Sequence, residues 1–113
     1  MQTEGIEAVF LETHNWGKTA RFLRELGFEV EFETDHNSGQ FRNSDGPWVF
    51  VAEVAPTQEP RAQLVLKVAG TQQRPGDDVE IVSEFAQTHY GTREMTVRDP
   101  DGRLWSLQAP GKQ

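Results

Sequence analysis

Three histidines, two acidic pairs and one isolated carboxylate are the residues whose chemistry could go beyond packing in this chain. Histidine can ligate a metal or carry a proton, and two neighbouring carboxylates can divide the work of acid and base. His14, His36 and His89 share no i, i+4 spacing, and each falls by pattern in a turn or at a strand end. That is the setting of a solvated loop histidine. Asp77-Asp78 and Asp99/Asp101 lie among prolines and glycines, where short acidic side chains bind backbone N–H groups, so turn formation accounts for them. Glu12 differs. It shares parity with Ala8 and Phe10 on an apolar strand, where a carboxylate is costly unless solvated or paired. Two partners stand open to it: a ligand cation, or Lys67, which has the parity of Gln63 and Val65. Among the tryptophans, Trp16 falls to the core or an interface and Trp105 to packing under the helices. Trp48 has the parity of Phe50, and either fills core or offers a face on which a flat or cationic ligand stacks. Without cysteine there are no disulfides and no thiolate metal sites.

These residues need elements to position them. Ile6 to Glu12 reads as a strand apolar on both faces, followed by a helix with Asn15 as N-cap and Trp16, Ala20, Leu23 and Leu26 at helical spacing. Gly27 stands where a left-handed residue ends a helix, with Phe28 folding back on Leu23. Phe28 to Thr34 alternates, which predicts Phe28, Val30 and Phe32 inward and Glu29, Glu31 and Glu33 outward. A turn over 36–39, a short strand over 40–43, a turn over 44–47 and an apolar strand over 48–54 follow. The proline-bearing stretch 55–61 is a loop, 62–69 a second apolar strand, and 70–78 loop-like around Pro75-Gly76. Val79 to Gln87 fits a helix or a strand, and the strand reading is preferred. Thr92 to Arg98 is a strand. Asp99-Pro100-Asp101-Gly102 is a tight turn, and Leu104 to Ala109 is the last strand.

At 113 residues the chain has the size of one domain, 1–113. No stretch reaches the ~20 apolar residues of a membrane span, and the polar start lacks the marks of a signal peptide. The expected location is cytoplasmic. A net charge of −7 argues against nucleic acid, whose binding needs a basic face, and mildly favours a cationic ligand, although solubility explains the charge as well.

The halves echo each other. Asp45-Gly46 and Asp101-Gly102 are 56 positions apart, as are the strand starts Ile6 and Ala62, and the strands after the two turns end in Ala55-Pro56 and Ala109-Pro110. An internal duplication explains this, with module one at about 5–56 and module two at about 61–110. A repeated βαβββ module carries Phe22-Leu23 and Leu26-Gly27-Phe28 on its first helix. Tyr90-Gly91-Thr92-Arg93 then leads into Val97-Arg98-Asp99-Pro100-Asp101-Gly102. Together these resemble the vicinal oxygen chelate superfamily of glyoxalase I, extradiol dioxygenases and fosfomycin- and bleomycin-resistance proteins. The resemblance covers nearly the whole chain and departs from the pattern in one place, since too few residues separate Ala69 from Val79 for the second helix. It implies an α+β fold in which two βαβββ modules form a curled mixed sheet around a pocket, with the second-module helix shortened or lost.

In the enzymes of that superfamily, histidine and glutamate from the first and fourth strands of each module hold a divalent metal. Carried over, those positions are Ala8, Phe50, Gln63 (or Leu64, one register on) and Ser106. Alanine and phenylalanine cannot coordinate, serine and glutamine do so poorly, and a one-residue slip brings no better ligand. Hence neither metal nor other cofactor is expected. The expected pocket is lined by Ala8, Phe10, Trp48, Phe50 and Leu104, with Glu12, Gln63, Ser106 and Gln108 as polar points. The resemblance implies a homodimer that binds and sequesters a small molecule, as bleomycin-resistance proteins do. Two other readings stand beside it: a lyase, isomerase or dioxygenase with a displaced or absent metal, and a structural or regulatory dimer whose pocket is filled by its own side chains.

Overall fold

A computed structural model of the chain describes residues 1–89 and 91–111. Tyr90, the first residue of the Tyr90–Arg93 motif, lies outside the described residues. The elements are β1 (Ile6–Thr13), α1 (Trp16–Glu25), β2 (Glu29–Glu33), β3 (Ser38–Arg42), β4 (Trp48–Glu53), β5 (Ala62–Lys67), β6 (Glu80–Gln87), β7 (Thr92–Arg98) and β8 (Leu104–Pro110). The fold is α+β, and α1 is the one helix among the described residues. Contacts group the chain into a first half, Ala8–Ala62, and a second half of Met1–Glu7 with the chain from Gln63 onward. The first residues therefore go with the second half, because Glu4 N donates to Lys67 O at 2.7 Å and Lys67 N to Gly5 O at 2.9 Å.

In the first half, β1 runs parallel to β4, and β3 joins β4 to β2 by antiparallel pairing. Helix α1 starts as its sequence dictates. The Asn15 side chain accepts from Lys18 N at 3.0 Å, and Glu53 Oε1 accepts from Trp16 N at 2.9 Å, satisfying two of the first-turn donors. It ends at Gly27, whose φ of +97° suits a residue without Cβ, with Phe28 N donating to Leu23 O at 3.0 Å. Its inner face lays Ala20 and Leu23 on Phe41, Val49 and Val51, with Trp16, Phe28 and Val30 at the margin. Each large apolar side chain so buried contributes about 1.5–3 kcal/mol. Trp16 lies 5.7 Å from Phe41 between ring centroids, a core position. It also sits so close to Gly39 that a Cβ there would stand 2.8 Å from its ring and 2.8 Å from the Phe32 carbonyl oxygen. The helix can approach the sheet at this point because Gly39 has no side chain.

The second half repeats the frame without the helix. β5 runs parallel to β8, and β7 joins β8 to β6 by antiparallel pairing. The alternatives for 79–87 resolve as a strand, β6. Val68, Met95, Val97, Leu107 and Ala109 form the buried core, flanked by Leu66, Ile81, Phe85 and Trp105. Trp105 therefore packs on strands, not under a helix, and its Nε1 donates to Asp99 Oδ2 at 2.9 Å. The 68–79 connection stands in place of the helix. It is tied at Arg74, whose guanidinium forks onto both Glu84 oxygens at 2.5 and 2.8 Å, and at Gln73, whose amide oxygen accepts from Gln2 N at 2.7 Å.

The turn chemistry repeats as well. Gly46 N donates to Asn43 O, and Gly102 N to Asp99 O, each pair 56 positions from its counterpart. Thr34 and Ser38 hydroxyls close the β2–β3 hairpin at 2.5 Å, and Thr88 and Thr92 hydroxyls close the β6–β7 hairpin at 2.8 Å.

Three further sequence expectations need correction. The alternation through 28–34 breaks at a bulge between Val30 and Phe32. Val30 packs toward the helix, whereas Phe32 is not inward with it; it crosses to the opposite face and is 48% exposed. An extra residue on one strand resets side-chain parity, and strict alternation in the sequence cannot reveal it. β3 begins at Ser38, inside the expected turn, because Ser38 pairs with Ala52. β5 stops at Lys67, two residues early, and Val68 turns into the core.

Candidate functional site

The helix-free face of the first half is aromatic. Register sets Ala8 beside Trp48, Phe10 beside Phe50 and Glu12 beside Ala52, while Gln40 pairs with both Phe50 and Phe32. Phe10 and Phe50 lie 5.0 Å apart at 30°, and Phe32 and Phe50 6.2 Å apart at 51°, the offset geometries aromatic pairs prefer. Phe10, Trp48 and Phe50 are half-buried and Phe32 is open. The sequence reading missed Phe32 because of the bulge. It also missed the polar edge beside it, where Glu31 accepts from Gln40 Nε2 at 2.8 Å and from Arg42 Nε at 3.1 Å. The Gln40 amide, and after it the Arg42 guanidinium, hold the Glu31 carboxyl below its ordinary range.

Glu12 shares this face, and its carboxylate bonds protein groups other than Lys67. Oε1 accepts from Arg61 N at 3.0 Å and Oε2 from Gln58 Nε2 at 3.2 Å, while Glu12 N donates to Arg61 O. It braces the 55–61 loop. His14 joins the same brace through Nε2 and Gln58 O at 2.6 Å, and His36 sits exposed beside Asp35.

The corresponding face of the second half is polar. Val65 pairs with Ser106 and Ser106 with Thr96; Lys67 pairs with Gln108 and Gln108 with Glu94; Leu104 pairs with Arg98. This register puts Gln63, not Leu64, on the face of Ser106, and the Gln63 amide donates to Ser106 Oγ at 2.7 Å. Ser106 and Gln108 are only 2% and 5% exposed. Glu94, at the centre of β7, is half-buried. Burial pushes its carboxyl above the ordinary range, and a hydrogen bond from Ser106 offsets part of that push. Glu94 was absent from the sequence expectation, although its parity with Thr92 and Thr96, opposite Met95 and Val97, marks it as facing this way. In the same half a cavity of about 90 Å3 is lined by Glu7, Lys67, Thr92, Gln108, Ala109 and Pro110, without Glu94.

The residues present do not fit the metal that the fold's enzymes hold. In the first half Ala8 and Phe50 offer no donor, and in the second Gln63 and Ser106 bond each other. Among the described residues no three of His, Asp and Glu gather as ligands. At the other end of β7, Asp99 serves a turn. Its Oδ1 accepts from Asp101 N and Arg103 N, both at 2.9 Å, and its Oδ2 from Trp105 Nε1 and from Arg103 at 3.1 Å. The Trp105 donor above all, then the Arg103 and Asp101 donors, lowers its pKa to about 2.

No family model matches the sequence, and no curated protein does. Solved structures do. A glyoxalase/bleomycin resistance protein/dioxygenase superfamily member from Vibrio splendidus 12B01 superimposes with a TM-score of 0.69 at 19% identity, over 90% of this chain and 96% of that one. The Mn(II)-bound glyoxalase from Novosphingobium aromaticivorans gives 0.75 at 16% identity over 96% of this chain, which spans only 39% of that protein. Methylmalonyl-CoA epimerase from Mycobacterium tuberculosis gives 0.71 at 14%, over 96% and 89%. The chain therefore has the vicinal oxygen chelate fold, that of the glyoxalase/bleomycin-resistance/dioxygenase superfamily. No helix of the chain is long and apolar enough to cross a membrane.

Proposed function

We propose that this protein binds a small, flat organic molecule without a metal ion, on the aromatic face of its first half, and holds that molecule without transforming it. The observation that carries the reading is the row of Phe10, Phe50 and Phe32 rings, open on one side and edged by Trp48 and the Glu31–Gln40–Arg42 cluster. Apolar walls with a few polar points are what a small-molecule site requires. The loss of donors at the metal positions supports binding over metal-assisted catalysis. Sequestration of an aromatic or cationic antibiotic by a cytoplasmic homodimer is the form of this function we favour.

Two measurements test it. Phe50→Ala should weaken an aromatic ligand found by thermal-shift screening by about 1–3 kcal/mol, the contribution of buried aromatic area. Unchanged affinity would remove the aromatic face from the site. Calorimetric titration of chelator-treated protein with Zn²⁺, Ni²⁺, Mn²⁺ and Fe²⁺ should show no tight site; one tight site per chain would overturn the metal-free reading.

A second reading, a lyase, isomerase or dioxygenase, is favoured by Glu94 alone, since a half-buried carboxyl whose pKa burial raises suits proton transfer. Turnover of any substrate that is abolished in Glu94→Gln and retained in Phe50→Ala would establish it.

A further inference from the structure

The cavity of the second half is lined by two opposite charges that do not meet. Lys67 and Glu7 both line it, with Thr92 and Gln108 as neutral polar groups and Ala109 and Pro110 as apolar wall. Among the described residues neither Lys67 nor Glu7 takes part in an ion pair, with the other or with any third group. The backbone explains how they come to share it. Lys67 N donates to Gly5 O at 2.9 Å and Lys67 O accepts from Glu4 N at 2.7 Å, which draws the segment before β1, and with it Glu7, alongside β5. On its other side Lys67 pairs with Gln108, so the two side chains leave the sheet on one face at the ordinary strand spacing of about 5 Å. Gln108 is 5% exposed, yet among the described residues no hydrogen bond occupies its amide. No side-chain nitrogen or oxygen of these residues is both sealed and unbonded, so the amide keeps an opening, and the cavity it lines supplies one. A buried amide without a partner carries a free-energy cost that a ligand's polar group relieves.

We propose that this cavity binds the zwitterionic head group of a small α-amino acid, an ammonium and a carboxylate carried on one carbon. The ligand carboxylate takes donors from the Lys67 ammonium and the Gln108 amide, which stand side by side across β5 and β8, and the ligand ammonium donates to Glu7. A simple anion meets repulsion from the Glu7 carboxylate, and a simple cation meets it from the Lys67 ammonium. A zwitterion escapes both, because each of its ends lies against the opposite charge. The volume of about 90 Å3 holds such a head group and not a large molecule. This site shares no residue with the aromatic face of the first half, and each stands or falls without the other.

The test is a titration of isotope-labelled protein at neutral pH with glycine, acetate and methylammonium, followed by amide chemical shifts. Glycine should move the amides of Glu7, Lys67, Thr92 and Gln108 and bind about fivefold more tightly than either half-molecule, the worth of one part-exposed ion pair. Lys67→Gln should bring glycine down to the affinity of methylammonium, and Glu7→Gln should bring it down to that of acetate. Gln108→Leu, which removes the buried donor, should weaken glycine and acetate together; should that variant fail to fold, the two surface variants decide alone. Acetate binding as tightly as glycine would make this a plain anion site, and methylammonium doing so a plain cation site; either result overturns the proposal. So would a glycine preference that survives both Lys67→Gln and Glu7→Gln, or no shift with glycine at tens of millimolar. Shifts confined to Phe10, Phe32 and Phe50 would overturn it while leaving the aromatic-face reading intact.

Discussion

The two halves share a backbone frame and differ in what covers one face and what decorates the other. In the first, α1 lays Ala20 and Leu23 on Phe41, Val49 and Val51, and the open face carries Phe10, Phe32 and Phe50. In the second, the 68–79 connection replaces the helix, and the opposite face carries Gln63, Ser106, Gln108 and Glu94. Strand order, the parallel pairing of the first and last strands, hairpin-closing hydroxyls and turn bonds are the same in both. The frame is thus set by turns and by which residues can enter a sheet, while the character of each open face rides on every second residue of its strands. The same strand frame is therefore compatible with a helix on one half and a loop connection on the other.

The helix-bearing half breaks most readily where the helix meets the sheet. Gly39→Val should cost about 2–3 kcal/mol in urea unfolding, because its Cβ would meet the Phe32 carbonyl and the Trp16 ring at 2.8 Å and neither can move freely. A loss below ~0.5 kcal/mol would mean that α1 is not seated as tightly as the geometry requires. The second half should break instead at its last turn. Asp99 has its pKa lowered from 3.8 to about 2, so its stabilisation is fully present above 3.8 and is lost only as pH falls through about 2. Asp99→Asn should therefore lower the Tm at pH 5 to 7, and the gap to the parent should close toward pH 2. A pH-independent gap would assign the effect to shape alone.

The smallest expected effect sharpens the contrast between the open faces. Glu94 has a raised pKa in the folded state, so folding binds more protons there than unfolding does, and stability falls as pH rises through that window. Glu94→Gln should raise the Tm at neutral pH, and the gain should vanish below pH 4.5, where both folded and unfolded carboxyls are protonated. A lower Tm at neutral pH would show that Glu94 already has a counter-ion. No comparable gain is expected from Glu31→Gln in the first half, since the Gln40 and Arg42 bonds hold Glu31 ionised.

Much of this was legible in the residues. Asn15 and Gly27 bracket the helix, and Asp99 to Gly102 makes its turn, because caps, left-handed glycines and Asx turns act within a few residues of themselves. That the helix between β5 and β6 is shortened or lost followed from the few residues between Ala69 and Val79, set against the resemblance. The face of Gln63, Ser106 and Gln108 followed from parity, which survives wherever a strand runs without a bulge.

Tertiary structure decided the rest. The bulge in β2 sends Phe32 to the face of Phe50, and it reflects how β2 must bend to pair with β3. Glu12 meets Gln58 and Arg61 and not Lys67, because a loop 46 to 49 residues away folds back over it. The Glu94 carboxyl is pushed upward because the assembled strands around β7 bury it. Local sequence determines backbone conformation through sterics and short hydrogen bonds. The protonation, partners and exposure of a side chain depend on the dielectric and donors around it, and only the assembled sheet supplies those.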